Sequence, residues 1–139
     1  MGVEIDIRYE GGLRCRAVHG PSGVTLTTDA PVDNGGQGAS FSPTDLVATG
    51  FGSCILTIMG LQARQRGLDI TGTRVHVVKE MVSEPVRRIG ALRAVVTFPK
   101  GWTGAEEDRQ CLARAAESFP VRHSLHPEVQ LSVELVYQD

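Results

Sequence analysis

Apolar and polar residues alternate in three runs along the first part of the chain, at 3–8, 13–18 and 24–28. A period of two is the pattern of a half-buried β-strand. The short segments EGG at 10–12 and HGPSG at 19–23 have the residue types of tight turns between such strands. We therefore predict a meander of three antiparallel strands.

A long helix is predicted after a loop rich in glycine and proline. Ser42 is a good N-cap, Pro43 suits the first helical position, and Asp45 complements the helix dipole. Apolar residues continue to Arg66, and Gly67 is suited to the left-handed position that ends a helix. We predict a helix from Pro43 to Arg66.

The second half of the chain predicts two strands, a helix and a last strand. The strands cover Ile70 to Glu80, Arg87 to Phe98 and Val129 to Val136, and the helix runs from Thr103, as its cap, to Ser118. A proline at position 120 ends that helix and allows a short further turn. The element order β-β-β-α-β-β-α-β indicates an α+β protein, with a single domain over residues 1–139.

The first helix is apolar on nearly all sides between residues 46 and 61. These 16 residues carry no charge, but the run is shorter than a membrane-spanning helix needs and contains Thr, Gly and Ser. We therefore interpret it as a buried helix of a soluble protein and expect no membrane association. Since a small monomer has little with which to cover such a helix on every side, we also predict a homodimer.

Composition narrows the class of protein. With 41% hydrophobic residues and a formal net charge of −2, the 139 residues offer no basic surface for nucleic acid, and we expect no nucleic-acid partner. The first twenty residues do not have the basic and apolar segments of a secretory signal. We expect a cytoplasmic protein.

The three cysteines are Cys15, Cys54 and Cys111. Their odd number and wide spacing argue against a disulfide scaffold, so we expect reduced thiols. The sequence has no CxxC, HExxH or close Cys/His cluster, and we expect no metal or other cofactor.

Cys54 lies beside two glycines in the long apolar helix, where each glycine costs about 1 kcal/mol relative to alanine. Two explanations remain open for Gly50 and Gly52: close approach of another backbone, or access of a substrate to the sulfur. A mid-helix thiol gains nothing from the dipole of the first turn. If Cys54 reacts as a thiolate, a cation must come from another segment; otherwise it is an inert small hydrophobe.

Three segments carry a specific combination: NGGQG at 34–38, SPTDLVATGFGSC at 42–54 and FPVRHSL at 119–125. Together they resemble the family of osmotically inducible protein C and organic hydroperoxide resistance proteins (OsmC/Ohr), and the resemblance covers essentially the whole chain. It implies an OsmC-like α+β fold. In that fold, two central helices are covered by antiparallel sheets from both subunits of an intertwined homodimer.

The resemblance also implies catalytic roles. Cys54 matches the cysteine that attacks hydroperoxides, and Asp45 matches a carboxylate that helps an arginine to hold the thiolate. In the hydroperoxide-resistance branch this carboxylate stands one place earlier, where this chain has Thr44. The cation could come from Arg14 or Arg16, which share one face of the second strand.

Further positions around the substrate follow from the same resemblance. Arg122 and His123 are alternative cations, and Gly50 could give access to the sulfur. The family's second, resolving cysteine lies in a Cys-Pro-Val segment, but this chain has Phe119 there. Cys111, eight residues earlier on a different helix face, cannot simply replace that thiol.

Three functions remain open on these residues. The first is a redox protein of oxidative-stress defence that reduces organic hydroperoxides through Cys54, with a small dithiol or a protein thiol resolving the sulfenic acid. The second is a non-catalytic dimeric protein that binds an apolar ligand, with Phe119 filling part of the pocket. The third is a sensor with a single redox-active cysteine.

Overall fold

The computed structural model describes residues 2–138, and the chain divides into two compact units, Met1–Val47 and Ala48–Asp139. The fold is α+β, as predicted; the single domain over residues 1–139 stays a prediction. In chain order the elements are β1 (Ile5–Gly11), β2 (Arg14–His19), β3 (Thr25–Asp29), a 3₁₀ turn (Val32–Asn34), α1 (Pro43–Gln65), β4 (Arg74–Val82), β5 (Arg88–Thr97), α2 (Glu106–Ala115), α3 (Pro120–Ser124) and β6 (Gln130–Val136).

The first unit contains the predicted meander, in which β1 pairs with β2 and β2 with β3, both antiparallel. Because side chains alternate across a strand, the register separates an apolar face from a polar one. Ile7, Ala17 and Leu26 lie side by side on the apolar face, next to Tyr9. The polar face carries Arg14, Arg16, Thr27 and Asp29.

Helix α1 begins with a capping box, which confirms the predicted start. The amide of Asp45 donates to Ser42 Oγ (3.1 Å), and the amide of Ser42 donates to Asp45 Oδ2 (2.9 Å). The helix ends at Gln65, one residue before the predicted end. Gly67 has a φ of +69°, and Leu68 donates its amide to the carbonyl of Ala63 (2.8 Å), so the predicted glycine does close the helix.

The sheet of the second unit has the order β4-β5-β6. β4 and β5 are antiparallel, as expected, but β6 runs parallel to β5, which corrects the expectation of purely antiparallel sheets. The connection from β5 to β6 contains α2 and α3. A crossover of this kind returns the chain to the same end of the sheet, and therefore allows parallel pairing.

Helix α2 is shorter than the predicted helix from Thr103 to Ser118. It begins after Ala105, whose extended backbone makes it the N-cap, so Thr103 is not the cap. Gly104 has a φ of +59°, outside the right-handed helical region, and this separates Thr103 from the helix. The short turn expected after Pro120 is α3.

Helix α1 has 23 residues and could cross a membrane by length and composition alone. Its side chains Phe51, Ile55 and Met59 are instead fully buried in the core of the second unit, with Leu92 of β5 and Leu112 of α2. This burial supports the prediction of a core helix in a soluble protein. The cytoplasmic location stays a prediction.

Candidate active site around Cys54

Cys54 lies in the middle of α1 as a free, half-buried thiol that packs against the core of the second unit. It is beyond the first turn, where the unpaired amides of a helix could stabilise a thiolate. Residues four and seven positions away share its helix face: Val47, Gly50, Ile58 and Leu61. None of them is charged, so any cation near the sulfur has to come from outside this face.

The two glycines beside Cys54 have different structural reasons. A Cβ at Gly52 would lie 2.7 Å from Val77 Cγ2 and 3.2 Å from Val75 Cγ1, so α1 can approach β4 only because this residue has no side chain. A Cβ at Gly50 would meet no atom of the described residues within 4 Å. Close packing thus explains Gly52, whereas Gly50 leaves space on the face that carries Cys54.

The glycines provide a matched pair of substitutions. Gly52→Ala should lower the free energy of unfolding by about 1–3 kcal/mol, because Val77 is branched and has little room to move. Gly50→Ala should leave it unchanged or raise it by up to about 1 kcal/mol, through helix propensity. Urea unfolding followed by circular dichroism measures both, and equal effects would contradict the assignment of Gly52 to packing.

Arg14 and Arg16 share the polar face of β2, as predicted, and the structure distinguishes them. The Arg14 guanidinium donates through Nη2 to Gln37 Oε1 (2.9 Å), and its Nε lies 3.6 Å from Asp29 Oδ2. Arg16 lines a surface cavity that also includes Asp6. Arg14 is therefore the arginine with a partner on each side of its guanidinium.

The sequence analysis did not identify Asp29 and Gln37, the partners of Arg14. Asp29 is 1% exposed and is paired with Arg14 in the register of β2 and β3. The alternation along β3 was the available signal, because it places Thr27 and Asp29 on the face that Arg14 and Arg16 occupy. Gln37 lies in a loop, where no periodicity indicates a direction.

Asp45 and Thr44 occupy the first turn of α1. The Asp45 carboxylate accepts the amide of Ser42, and the Thr44 hydroxyl lies 3.3 Å from Ser42 Oγ. Asp45 thus stabilises the N-terminus of the helix, as the sequence predicted. Its second role, beside an arginine, stays a prediction.

Phe119 is a core residue of the second unit. It is 1% exposed, and its ring packs edge-on against Phe51, with centroids 5.4 Å apart. Phe51 lies one helical turn before Cys54. Phe119 therefore contributes to packing next to the turn that carries the thiol.

Arg122 and His123 lie on α3 and contact neighbours in their own segment. Arg122 Nη1 is 3.7 Å from Glu117 Oε2, and His123 Nε2 is 3.1 Å from Ser118 Oγ. Each of these two side chains thus contacts a nearby residue in sequence, and their predicted place around a substrate stays a prediction.

Cys111 is held by a contact of its own, since its Sγ donates to Gln62 Oε1 over 3.6 Å. Cys15 is also a free thiol, on β2. Among residues 2–138, no group of three or more His, Cys, Asp or Glu side chains is placed to hold a metal ion.

Comparison with known proteins confirms the resemblance. The family model for OsmC-like proteins matches residues 35–134. A solved structure from Psychrobacter arcticus 273-4, provisionally described as an osmotic stress induced and detoxification response protein, is 39% identical; the alignment covers 94% of this chain and 93% of that one, with a TM-score of 0.88. No curated protein matches the chain.

More distant structures share the fold. The organic hydroperoxide resistance protein OhrB of Bacillus subtilis is 18% identical, with a TM-score of 0.69 and coverage of 97% and 98% of the two chains. An organic hydroperoxide resistance protein OsmC from Legionella pneumophila is 14% identical, with a TM-score of 0.75 and coverage of 98% and 97%. From its matched residues and its fold, this chain belongs to the OsmC-like family.

Proposed function

We propose that this protein is a thiol-dependent redox protein of oxidative-stress defence, in which Cys54 reduces organic hydroperoxides. The Cys54 thiolate attacks the distal oxygen of ROOH and the O–O bond breaks. The sulfur becomes a sulfenic acid, and the alkoxide leaves as ROH after taking up a proton. Family membership supports a redox or stress role, and the specific reaction is the proposal.

The observation that carries the proposal is the space beside Cys54. The thiol is half-buried, and a Cβ at Gly50, one turn earlier on the same face, would meet no described atom within 4 Å apart from its chain neighbours and the nearby helix backbone. The neighbouring side chains Val47 and Leu61 are apolar and exposed. An uncharged surface around a thiol favours an organic hydroperoxide over a charged substrate.

An external thiol completes the cycle in this proposal, because position 119 is phenylalanine. The sulfenic acid of Cys54 condenses with one thiol of a dithiol or a protein thiol and releases water. The second thiol then reduces the mixed disulfide, which regenerates Cys54 and leaves the reductant as a disulfide.

Arg14 is the better candidate for the cation that the thiolate needs. Its guanidinium donates a hydrogen bond to Gln37 and forms an ion pair with Asp29 at 3.6 Å, so less side-chain entropy would be lost when it stabilises a charge. Arg16, by contrast, lines an open surface cavity together with Asp6. We choose Arg14 over Arg16 because these contacts restrict the guanidinium of Arg14.

The test is the consumption of cumene hydroperoxide with a dithiol by the wild type, Cys54→Ser and Cys111→Ser. Activity that is lost only with Cys54→Ser supports the proposal. Phe119, at the place where the resemblance implies a second cysteine, favours one other candidate, a binding protein for an apolar ligand. Absence of turnover in the wild type, together with an apolar ligand found by native mass spectrometry, would support that candidate.

A homodimer is the second part of the proposal. One face of α1 remains open on this chain, with Val47 37% exposed and Leu61 45% exposed. The apolar face of the first unit's sheet is also open, with Ile7 67% and Tyr9 63% exposed. Exposed apolar surfaces on a small chain mark interfaces, and a second copy would cover these surfaces so that the peroxide pocket beside Cys54 lies at the dimer interface.

Leu61 and Val78 form a matched pair for testing the dimer, because both are apolar and 45% exposed. Leu61→Glu should place a charge in the interface and weaken the dimer at least about 100-fold. Val78→Glu, on β4, should leave the dimer intact. Light scattering after gel filtration measures both, and a monomeric wild type or equal effects of the two variants would contradict the proposed face.

A further inference from the structure

The first unit contains a cavity of about 300 Å³ that does not involve Cys54. Its walls include Glu10 of β1, Arg14 of β2, Thr27 and Asp29 of β3, and Ser40 of the following loop. We refer to it as the Asp29 cavity, because Asp29 is the one strongly buried charged residue in its wall, at 1% exposure.

The Asp29 carboxylate is only partly satisfied. Oδ2 accepts the amide of Ala39 (3.0 Å), and Arg14 Nε lies 3.6 Å from the same oxygen, beyond direct hydrogen-bond distance. Oδ1 is buried and has no hydrogen-bond partner among the described residues. A buried acceptor without a donor costs free energy, and the cost is larger for a charged group. The site therefore favours an incoming donor.

The charges in the wall indicate the charge of the ligand that carries this donor. Glu10 and Asp29 contribute two negative charges and Arg14 contributes one positive charge, so the wall has a formal charge of −1. The hydroxyls of Thr27 and Ser40 are neutral, and Ser40 Oγ already donates to the carbonyl of Thr27 (2.8 Å). A singly charged cation with N–H groups would supply both the charge and the missing donor.

We propose that the Asp29 cavity binds the ammonium group of a small primary amine. An ammonium presents three donors and no acceptor, which suits a wall that contains the buried carboxylate of Asp29 and the exposed carboxylate of Glu10. A divalent cation fits less well, because it prefers several oxygen ligands and the Arg14 guanidinium beside Asp29 would repel its double charge. The volume leaves room for a short alkyl chain on the amine.

The probe is n-propylammonium chloride, titrated into ¹⁵N-labelled protein at constant ionic strength and followed by amide chemical shifts. We expect saturable shifts at Asp29 and at Ala39, whose amide contacts the carboxylate. Tetramethylammonium, which has the charge but no N–H donor, should give no saturable shift there. Magnesium chloride at the same ionic strength should also give none.

Three variants assign the binding to the carboxylates. Asp29→Asn keeps an oxygen for the Ala39 amide and should weaken binding at least about tenfold. Glu10→Gln, at an exposed position, should weaken it by about two- to fivefold and remains informative if Asp29→Asn fails to fold. Asp6→Asn, on β1 but outside this cavity, should change binding by less than a factor of two.

Several results would overturn the proposal. These are no saturable shift with n-propylammonium, equal shifts with tetramethylammonium or magnesium, or folded Asp29→Asn and Glu10→Gln variants that both bind like the wild type. None of these outcomes depends on the peroxide reaction of Cys54, so the two proposals fail or hold separately.

Discussion

Replacing Cys54 with serine is expected to lower the rate of cumene hydroperoxide consumption, with a dithiol as reductant, by at least about a thousandfold. The reaction requires a sulfur that can donate an electron pair to the peroxide oxygen and then exist as a sulfenic acid. A serine hydroxyl cannot do this at neutral pH. Since Cys54 is half-buried and not fully enclosed, the serine should be accommodated without unfolding.

Cys111→Ser is the matched control for this experiment. Cys111 is also a free, half-buried cysteine on a helix, but its sulfur contacts Gln62. Its replacement should change the rate by less than about twofold, because it has no place in the proposed reaction. Equal rates of the wild type and Cys54→Ser would contradict the peroxidase proposal. A loss with Cys111→Ser alone would move the chemistry to the other thiol.

Phe119→Ala is expected to lower the free energy of unfolding by about 3–5 kcal/mol. Phe119 is 1% exposed and packs edge-on against Phe51. Removing its ring takes apolar surface out of the core and leaves a cavity that the surrounding helices can only partly close. Urea unfolding monitored by circular dichroism measures the loss, which is a large fraction of the stability of a typical domain.

Phe41→Ala is the control for the removal of a phenylalanine ring. Phe41 is 52% exposed, so its loss should change the free energy of unfolding by less than about 1 kcal/mol. A small effect of Phe119→Ala, similar to that of Phe41→Ala, would show that Phe119 is not part of the core. The position would then be free to line a binding pocket, as the sequence analysis allowed.

Local patterns predicted the elements that depend on neighbours in sequence. The alternation at the start of the chain predicted the meander β1-β2-β3, and Ser42 with Asp45 predicted the start of α1. The capping box joins residues three positions apart, and the meander follows from the alternation within each strand and the short turns between them. The start of α2 failed, since Thr103 is a good cap by residue type but the left-handed backbone at Gly104 separates it from the helix.

The candidate site was predicted in part. Cys54 followed from its motif, and the structure adds that Gly52 allows close packing while Gly50 leaves space. Asp29 and Gln37 were missed as partners of Arg14, because they are 15 and 23 residues away in sequence. The alternation along β3 could have placed Asp29 on the face of Arg14, but it does not show which residues pair across the turn, and Gln37 lies in a loop without a period.

By itself, the sequence determined the α+β class, the family and the cysteine at the centre of the proposed reaction, because these depend on periodicity and on short motifs. Only the tertiary structure decided that β6 pairs parallel to β5, that Phe119 lies in the core against Phe51, and that Asp29 is buried beside Arg14. The physical reason is that strand direction, burial and charge pairing depend on which distant segments come into contact. The residue types are compatible with several different contacts between these segments.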